Sequence, residues 1–180
     1  MTSPSTSLPS RCSTPLPAPE TLVGLGLGCN LGDAPGNIAR ALRLVEERGA
    51  ARVEKISRVY RTPPWGPVAQ PDFANACALA RTKLAPQRLL AALKGIEADM
   101  GRQAGERWGP RLIDLDILFY GDVRLDEPGL TIPHKHLFDR AFVLIPLAEI
   151  APDLRIAGRL VGAAARALDA ADMEIWPARD

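Results

Sequence analysis

The sequence predicts an α+β fold in which helices pack on a largely antiparallel sheet. Short segments of strand character alternate with amphipathic stretches of helical length, and at least one strand pair is joined by a hairpin turn. The composition, with 47% hydrophobic and 24% charged residues in 180, is that of a globular protein with one ordinary core. We see no internal repeat, so a single folded domain is expected.

Residues 1–20 differ from the rest of the chain in composition. Ser, Thr and Pro dominate there and large apolar side chains are scarce, which predicts a disordered tail before a single domain over residues 21–180. The tail lacks the apolar centre of a secretory signal and has too few arginines for a good mitochondrial presequence. With no apolar run of membrane-spanning length, we expect a cytoplasmic protein.

The first half of the domain is predicted to hold three strands and two helices. A glycine-rich strand over residues 21–28 is followed by a helix over 35–48, whose apolar positions recur every three or four residues before a terminating glycine. Partial alternation predicts a strand over 53–60. A third strand is expected over 73–84, and a helix that begins with proline over 86–100.

The second half begins with a strand over residues 112–120. A Gly-Asp turn then predicts a hairpin to a short partner over 123–125, and residues 131–133 are again extended. Residues 142–150 are predicted to be helical despite an internal proline, and the last amphipathic helix covers 160–168.

Asp114 and Asp116 are the most informative pair of residues. In a strand, residues two apart share a face, so both carboxylates point to one side. The opposite side is predicted to carry Ile113, Leu115, Ile117 and Phe119. At about 6 Å and an effective dielectric of about 20, two such charges repel by about 3 kcal/mol, so a cation is needed between them. Oxygen ligands and nearby phosphate suit Mg²⁺. The alternative is a solvated outer face, against which the apolar Leu112 and Leu118 on the same side argue.

The segment before this strand, residues 101–111, combines arginines with glycines. Arg102, Arg107 and Arg111 offer planar forks of donors that suit phosphate, and the glycines allow the loop to close over a ligand. A merely solvated charged loop is the alternative. The position directly before the aspartate strand favours phosphate binding.

Four weaker patterns lie elsewhere. Phe73 and Asn75 share a strand face, where a ring could stack on a flat heterocycle and an amide could read its edge, although the pair alone favours ordinary core packing for Phe73. The glycines near residue 26 fit neither GxGxxG nor a P-loop, which excludes those nucleotide motifs. His134 and His136 lack a third nitrogen or thiolate ligand for zinc. The three cysteines, without a CxxC pair, argue against a disulfide framework and a cysteine zinc site.

Six ordered blocks of sequence between about residues 21 and 153 resemble one family. They are Gly28-Cys29-Asn30-Leu31-Gly32, Tyr60-Arg61-Thr62-Pro63-Pro64, Gln70-Pro71-Asp72-Phe73-Ala74-Asn75-Ala76, Arg107-Trp108-Gly109-Pro110-Arg111, Asp114-Leu115-Asp116 and Thr131-Ile132-Pro133-His134. The family is the 6-hydroxymethyl-7,8-dihydropterin pyrophosphokinases of folate synthesis. The resemblance implies a ferredoxin-like fold and transfer of the terminal diphosphate of ATP to the pterin hydroxymethyl group, with release of AMP.

The resemblance also implies roles for individual residues. The expected catalytic residues are Arg102, Arg111, Asp114 and Asp116, and the two aspartates are expected to hold two Mg²⁺ ions with ATP. The pterin is expected to contact Thr62, Pro63, Trp65, Phe73, Asn75 and Phe142. ATP is expected to contact Glu97, Arg102, Trp108, Arg111, Ile117, His134 and Arg140.

The chain departs from the family pattern at three places. Cys29 stands where serine is usual, Lys135 where tyrosine is usual, and the arginine loop is one residue shorter, with Gln103-Ala104 where a second arginine often stands. A non-catalytic RNA-binding module is disfavoured because aromatics are 5% of residues, no RNA-binding signature occurs and the net charge is +1. A kinase of another alcohol remains the nearer rival. We expect a monomer that binds ATP and the pterin, and neither nucleic acid nor membranes.

Overall fold

The computed structural model describes residues 19–64, 70–101 and 110–177. The strands are β1 (Thr21–Cys29), β2 (Arg52–Ile56), β3 (Tyr60–Thr62), β4 (Phe73–Thr82), β5 (Asp114–Tyr120), β6 (Leu125–Glu127), β7 (Leu130–Ile132), β8 (Arg155–Ile156), β9 (Arg159–Leu160) and β10 (Glu174–Ile175). The helices are α1 (Ala34–Glu47), α2 (Pro86–Asp99), α3 (Ala141–Ile150) and α4 (Val161–Ala165). In these residues, no helix combines the length and the apolar character needed to cross a membrane.

The main sheet has the order β10-β3-β4-β1-β5, and β2 pairs with β4 beside β3. Each of these pairings is antiparallel. The long strand β1 lies in the middle and pairs with β4 on one side and β5 on the other. The predicted antiparallel α+β architecture, of the ferredoxin-like kind, is therefore confirmed.

Helices cover both faces of this sheet. On one face, Val23, Leu25 and Leu27 of β1 pack in a single core with α1 and α2, and β4 contributes only small side chains there, Ala74, Ala76, Ala78 and Ala80. On the other face, Cys77 and Leu79 pack with α3 and the residues after it. Since β1 carries glycines on this second face, the sheet surface stays open next to α3.

The helix α1 begins where its sequence signals predict. Asp33 caps it by accepting a hydrogen bond from the amide of Gly36 at 3.2 Å, and Pro35 occupies the first turn. The helix α3 runs through Pro146 as expected. The predicted last helix is shorter than expected, because α4 ends at Ala165 and the amides of Ala167 and Leu168 bond to carbonyls three residues back, in a turn.

Two predicted strands are wrong in detail. The strand expected over residues 53–60 is divided into β2 and β3, because the Ser57 hydroxyl accepts the Cys77 amide at 2.9 Å in place of a backbone carbonyl. The hairpin expected between β5 and residues 123–125 does not form. Instead β6 pairs with β7 through a turn in which Gly129 has a φ of 85°. The strand β10, which pairs with β3, was not predicted at all.

A β-bulge interrupts the alternation of β5. Gly24 pairs with Phe119, but the next residue of β1 pairs with Ile117, so one residue of β5 is left over. As a result, Leu118 and Phe119 both pack on the α3 face. The prediction that Phe119 lies on the side of Ile117 is therefore wrong, and its ring fills the space above Gly24.

Candidate active site

An open cleft lies on the α3 face of the sheet, where β1 carries glycines. Its empty space amounts to about 810 Å³, which includes open solvent at the mouth. Its described lining residues are Gly26, Leu27, Gly28, Thr62, Pro63, Gln70, Phe73, Asn75, Ala76, Arg111, Asp114, Asp116, Leu118, His134, Arg140, Phe142 and Val143. The floor is therefore sheet, and α3 and the segment before it form one wall.

The strand register aligns the functional side chains of the floor. Gly28 of β1 pairs with Asn75 of β4 on one side and with Asp114 of β5 on the other. A Cβ at Gly28 would lie 2.9 Å from the Asn75 side-chain oxygen. Glycine is thus required at this position for the asparagine to keep its place, and the cleft has an amide side and an acidic side.

The amide side brings together the described residues that the resemblance assigned to the pterin. Phe73 comes from β4 and Phe142 from the first turn of α3, so two elements supply rings to one cavity. Asn75 Nδ2 donates to Thr62 Oγ1 at 2.7 Å, and both residues are buried. This bond directs the Asn75 carbonyl oxygen away from Thr62 and towards Gly28. Trp65, also predicted to contact the pterin, lies outside the described residues.

The acidic side holds Asp114 and Asp116, which share a face of β5 as predicted and both line the cleft. Arg111 and Lys94, from the described residues, contact Asp114: Arg111 Nη1 lies 2.6 Å from one carboxylate oxygen, and Lys94 Nζ lies 3.6 Å from the other. No group of three or more His, Cys, Asp or Glu side chains gathers as a metal site in the described part of the chain. Two carboxylates nevertheless fit Mg²⁺, which is commonly bound by one or two carboxylates together with substrate phosphates and water.

Two arginines supply positive charge beside the carboxylates. Arg111 and Arg140 both line the cleft. Burial lowers the pKa of Arg140, while Asp116 and Asp114 act in the opposite direction. The guanidinium remains charged at neutral pH, because arginine is effectively always protonated in proteins. The guanidinium carbon of Arg140 lies 5.6 Å from the centre of the Phe142 ring. Arg140 therefore borders both the acidic side and the amide side of the cleft.

His134 is a neutral hydrogen-bond donor in this environment. Burial, followed by the positive charge of Arg140, lowers the pKa of His134 to about 4. Its Nδ1 accepts the backbone N–H of His136 at 3.2 Å, which assigns the remaining proton to Nε2. The ring can thus donate a hydrogen bond into the cleft without adding charge.

The side chains of two predicted nucleotide contacts do not line the cleft. Glu97 is 1% exposed, and its carboxylate accepts hydrogen bonds from Lys94 and from the Leu115 amide. Ile117 is 3% exposed and packs in the core on the α1 and α2 side of the sheet. Any contact of Ile117 with a nucleotide would have to come from its backbone. The predicted residues Arg102 and Trp108, with Arg107, lie outside the described residues.

One residue that the sequence analysis did not assign to the site is Asn30. Its backbone N–H donates to the Arg111 carbonyl at 3.1 Å, and its side-chain oxygen accepts the Arg111 amide at 2.9 Å. Its Nδ2 donates to Gln70 Oε1 at 2.9 Å and to the Pro71 carbonyl at 3.2 Å. Asn30 therefore connects the two sides of the cleft. Its place in the first of the six sequence blocks, within Asn-Leu-Gly, was the only signal in the sequence.

Comparison with known proteins gives matches to one family. Residues 24–152 match the model of the 7,8-dihydro-6-hydroxymethylpterin-pyrophosphokinase (HPPK) family. A 2-amino-4-hydroxy-6-hydroxymethyldihydropteridine pyrophosphokinase of Methylorubrum extorquens is 45% identical over 150 residues, which are 83% of this chain and 95% of that protein. The protein of the same name from Pseudomonas aeruginosa is 47% identical over 134 residues, which are 74% of this chain and 83% of that protein.

Solved structures show the same fold. A crystal structure of an HPPK-DHPS in complex with substrates superposes with a TM-score of 0.65 at 16% identity, over 82% of this chain and 43% of that one. A Plasmodium falciparum HPPK-DHPS variant with SDX-DHP gives a TM-score of 0.67 at 18% identity, over 83% of this chain and 45% of that one. This chain spans less than half of those chains, and at such identities the likeness concerns the fold alone.

Proposed function

Because this chain belongs to the 7,8-dihydro-6-hydroxymethylpterin-pyrophosphokinase family and transfers diphosphate from ATP to 6-hydroxymethyl-7,8-dihydropterin in folate biosynthesis, we propose that the cleft beside α3 is where it does so. The observation that carries this proposal is the row Asn75-Gly28-Asp114 across three strands. It places an amide suited to a heterocycle next to a carboxylate suited to a metal–phosphate complex. The products are AMP and the pterin diphosphate.

The amide side binds the pterin. Phe73 and Phe142 stack on the two faces of the bicyclic ring, since flat aromatic systems gain from offset stacking. The Asn75 carbonyl accepts a hydrogen bond from a ring N–H, because the bond from Nδ2 to Thr62 turns the carbonyl oxygen towards Gly28 and the cleft. Thr62 and Pro63 form the neighbouring edge of the pocket. Together they present the hydroxymethyl group towards Asp114.

The acidic side binds the triphosphate. Family enzymes use ATP with Mg²⁺, and we assign the metal ligands to Asp114 and Asp116, with two ions as the expected number. Bound Mg²⁺ would neutralise phosphate charge and orient the reacting groups. Arg111 and Arg140 bind phosphate oxygens through their planar donors and stabilise charge that develops during transfer. His134 donates its Nε2 proton to the nucleotide, and so serves as a donor and not as a base.

A kinase that transfers a single phosphoryl group is the alternative to be tested. The assay mixes the protein with ATP, Mg²⁺ and 6-hydroxymethyl-7,8-dihydropterin and separates the nucleotides. AMP in equal amount to the pterin diphosphate is expected, whereas ADP as the product would overturn the assignment.

Substitution of either aspartate tests the metal ligands. Asp114→Asn and Asp116→Asn should each lower kcat by at least about 100-fold, since one stabilising group in an active site is commonly worth that much. Their circular dichroism spectra should match the wild type. Asp122→Asn, at an exposed turn after β5, is the matched control and should retain full activity. Near-normal turnover in both site variants would contradict the ligand assignment.

A further inference from the structure

The strand that carries the two aspartates lies at the edge of the main sheet. Among the described residues, β5 pairs with β1 on one side and has no strand on the other. Every second residue of such an edge strand turns its backbone N–H and C=O outwards, where they need other partners. Leu115 is one of these residues, and it is the residue between Asp114 and Asp116.

A charged pair from α2 binds the outward peptide groups of Leu115. Its N–H donates to Glu97 Oε1 at 2.7 Å, and its carbonyl accepts from Lys94 Nζ at 3.3 Å. The same lysine binds Glu97 Oε1 at 2.7 Å, so the two side chains hold each other. They lie three residues apart on one helix, which places both over the same stretch of strand.

The burial of this pair suggests a local role in fixing the backbone. The Glu97 side chain is 2% exposed, and Leu93 and Ile96, which precede it in the same helix, are fully buried. A buried carboxylate is costly unless it is paired and hydrogen-bonded. Here it forms an ion pair with Lys94 and accepts a hydrogen bond from the Leu115 amide. Lys94 also contacts Asp114, and Leu115 follows Asp114 in the strand.

We propose that Glu97, held by Lys94, is a positioning residue for the metal site. By fixing the Leu115 peptide, it fixes the directions in which Asp114 and Asp116 leave the strand. This inference rests on the proposed function, in which those aspartates bind Mg²⁺ with ATP. It assigns to Glu97 a backbone role in place of the direct nucleotide contact that the sequence resemblance implied.

The first test measures the Leu115 amide without any ligand. Hydrogen exchange followed by NMR on the whole protein compares wild type, Glu97→Ala, Glu97→Gln and Lys94→Met. Glu97→Ala should speed exchange at Leu115 by about tenfold, the worth of one lost hydrogen bond to a charged acceptor. Glu97→Gln retains an acceptor oxygen and should stay within about threefold of wild type. Lys83→Met, on an exposed lysine away from the cleft, is the charge-matched control.

The second test separates metal dependence from nucleotide affinity. In Glu97→Ala, the Mg²⁺ concentration for half-maximal rate should rise by about tenfold, while KM for the pterin stays unchanged. Glu97→Gln should restore most of this loss. If both variants instead raise KM for ATP equally and leave Mg²⁺ dependence and Leu115 exchange unaltered, Glu97 binds nucleotide and the inference is wrong. If wild type forms no AMP but Leu115 exchange responds as expected, the proposed function fails while the backbone role stands.

Discussion

Adding one methyl group to Gly28 should weaken pterin binding without disturbing the nucleotide. In Gly28→Ala the new Cβ would lie 2.9 Å from Asn75 Oδ1, whereas ordinary contacts of this kind begin near 3.4 Å. The asparagine oxygen must therefore move by about 0.5 Å. No other described atom lies within 4 Å of that Cβ, so the strain acts on this one side chain.

The magnitude follows from the bond that holds Asn75. Its Nδ2 donates to Thr62 Oγ1 at 2.7 Å, and both side chains are buried, so water cannot replace a bond that is stretched. Loss of one good hydrogen bond, in the protein or to the ligand, costs about 1.4 kcal/mol, which is about tenfold in affinity. We therefore expect KM for the pterin to rise by about tenfold and KM for ATP to change by less than about twofold.

Steady-state kinetics with each substrate varied at saturating levels of the other provide the assay. Gly95→Ala is the matched control: an alanine methyl at this helical glycine would meet no described atom within 4 Å, and the substitution should stabilise the protein by about 0.5–1 kcal/mol with unchanged kinetics. Unaltered pterin KM in folded Gly28→Ala, or an equal rise in both KM values, would refute the reasoning.

Two further predictions concern stability. Gly24→Ala should lower the free energy of unfolding by about 1–3 kcal/mol, because its Cβ would overlap the ring of Phe119; an unchanged urea midpoint would contradict this packing. His134 should make the folded protein less stable as pH falls from about 6.5, the ordinary pKa, towards 4, since the unfolded chain takes up the proton first. After allowance for solvent screening of this half-buried ring, the loss should be about 1–2 kcal/mol, and His134→Gln should remove it in urea titrations across this pH range.

Much of the acidic side of the cleft could be predicted from local pattern. The alternation of β5 places Asp114 and Asp116 together because the side-chain period of a strand is two. That period holds only while the ladder is regular, so the bulge before Phe119 could not be foreseen. The position of a bulge depends on the side chains that pack on the two faces of the strand. Here the Phe119 ring occupies the space above Gly24, which has no side chain.

The long-range contacts could not be predicted from the local sequence pattern. The bond from the Leu115 amide to Glu97 joins residues eighteen positions apart on different elements, and a glutamate in an amphipathic helix is equally typical of a solvated position. The hairpin β6-β7 was missed for a related reason. Both a Gly-Asp and a Pro-Gly pair signal turns in that segment, and only tertiary packing determines which of them reverses a ladder.

The row from Asn75 through Gly28 to Asp114 has a consequence for which alcohols the enzyme can accept. Neighbouring strands are held about 4.8 Å apart by their hydrogen bonds, so the amide and the carboxylate stand about 10 Å from each other at their backbones. Loop movements leave this separation unaltered. The sheet thus holds the amide and the carboxylate at a fixed distance. An alcohol much shorter or longer than the natural one would be bound with its hydroxyl out of reach of the phosphates.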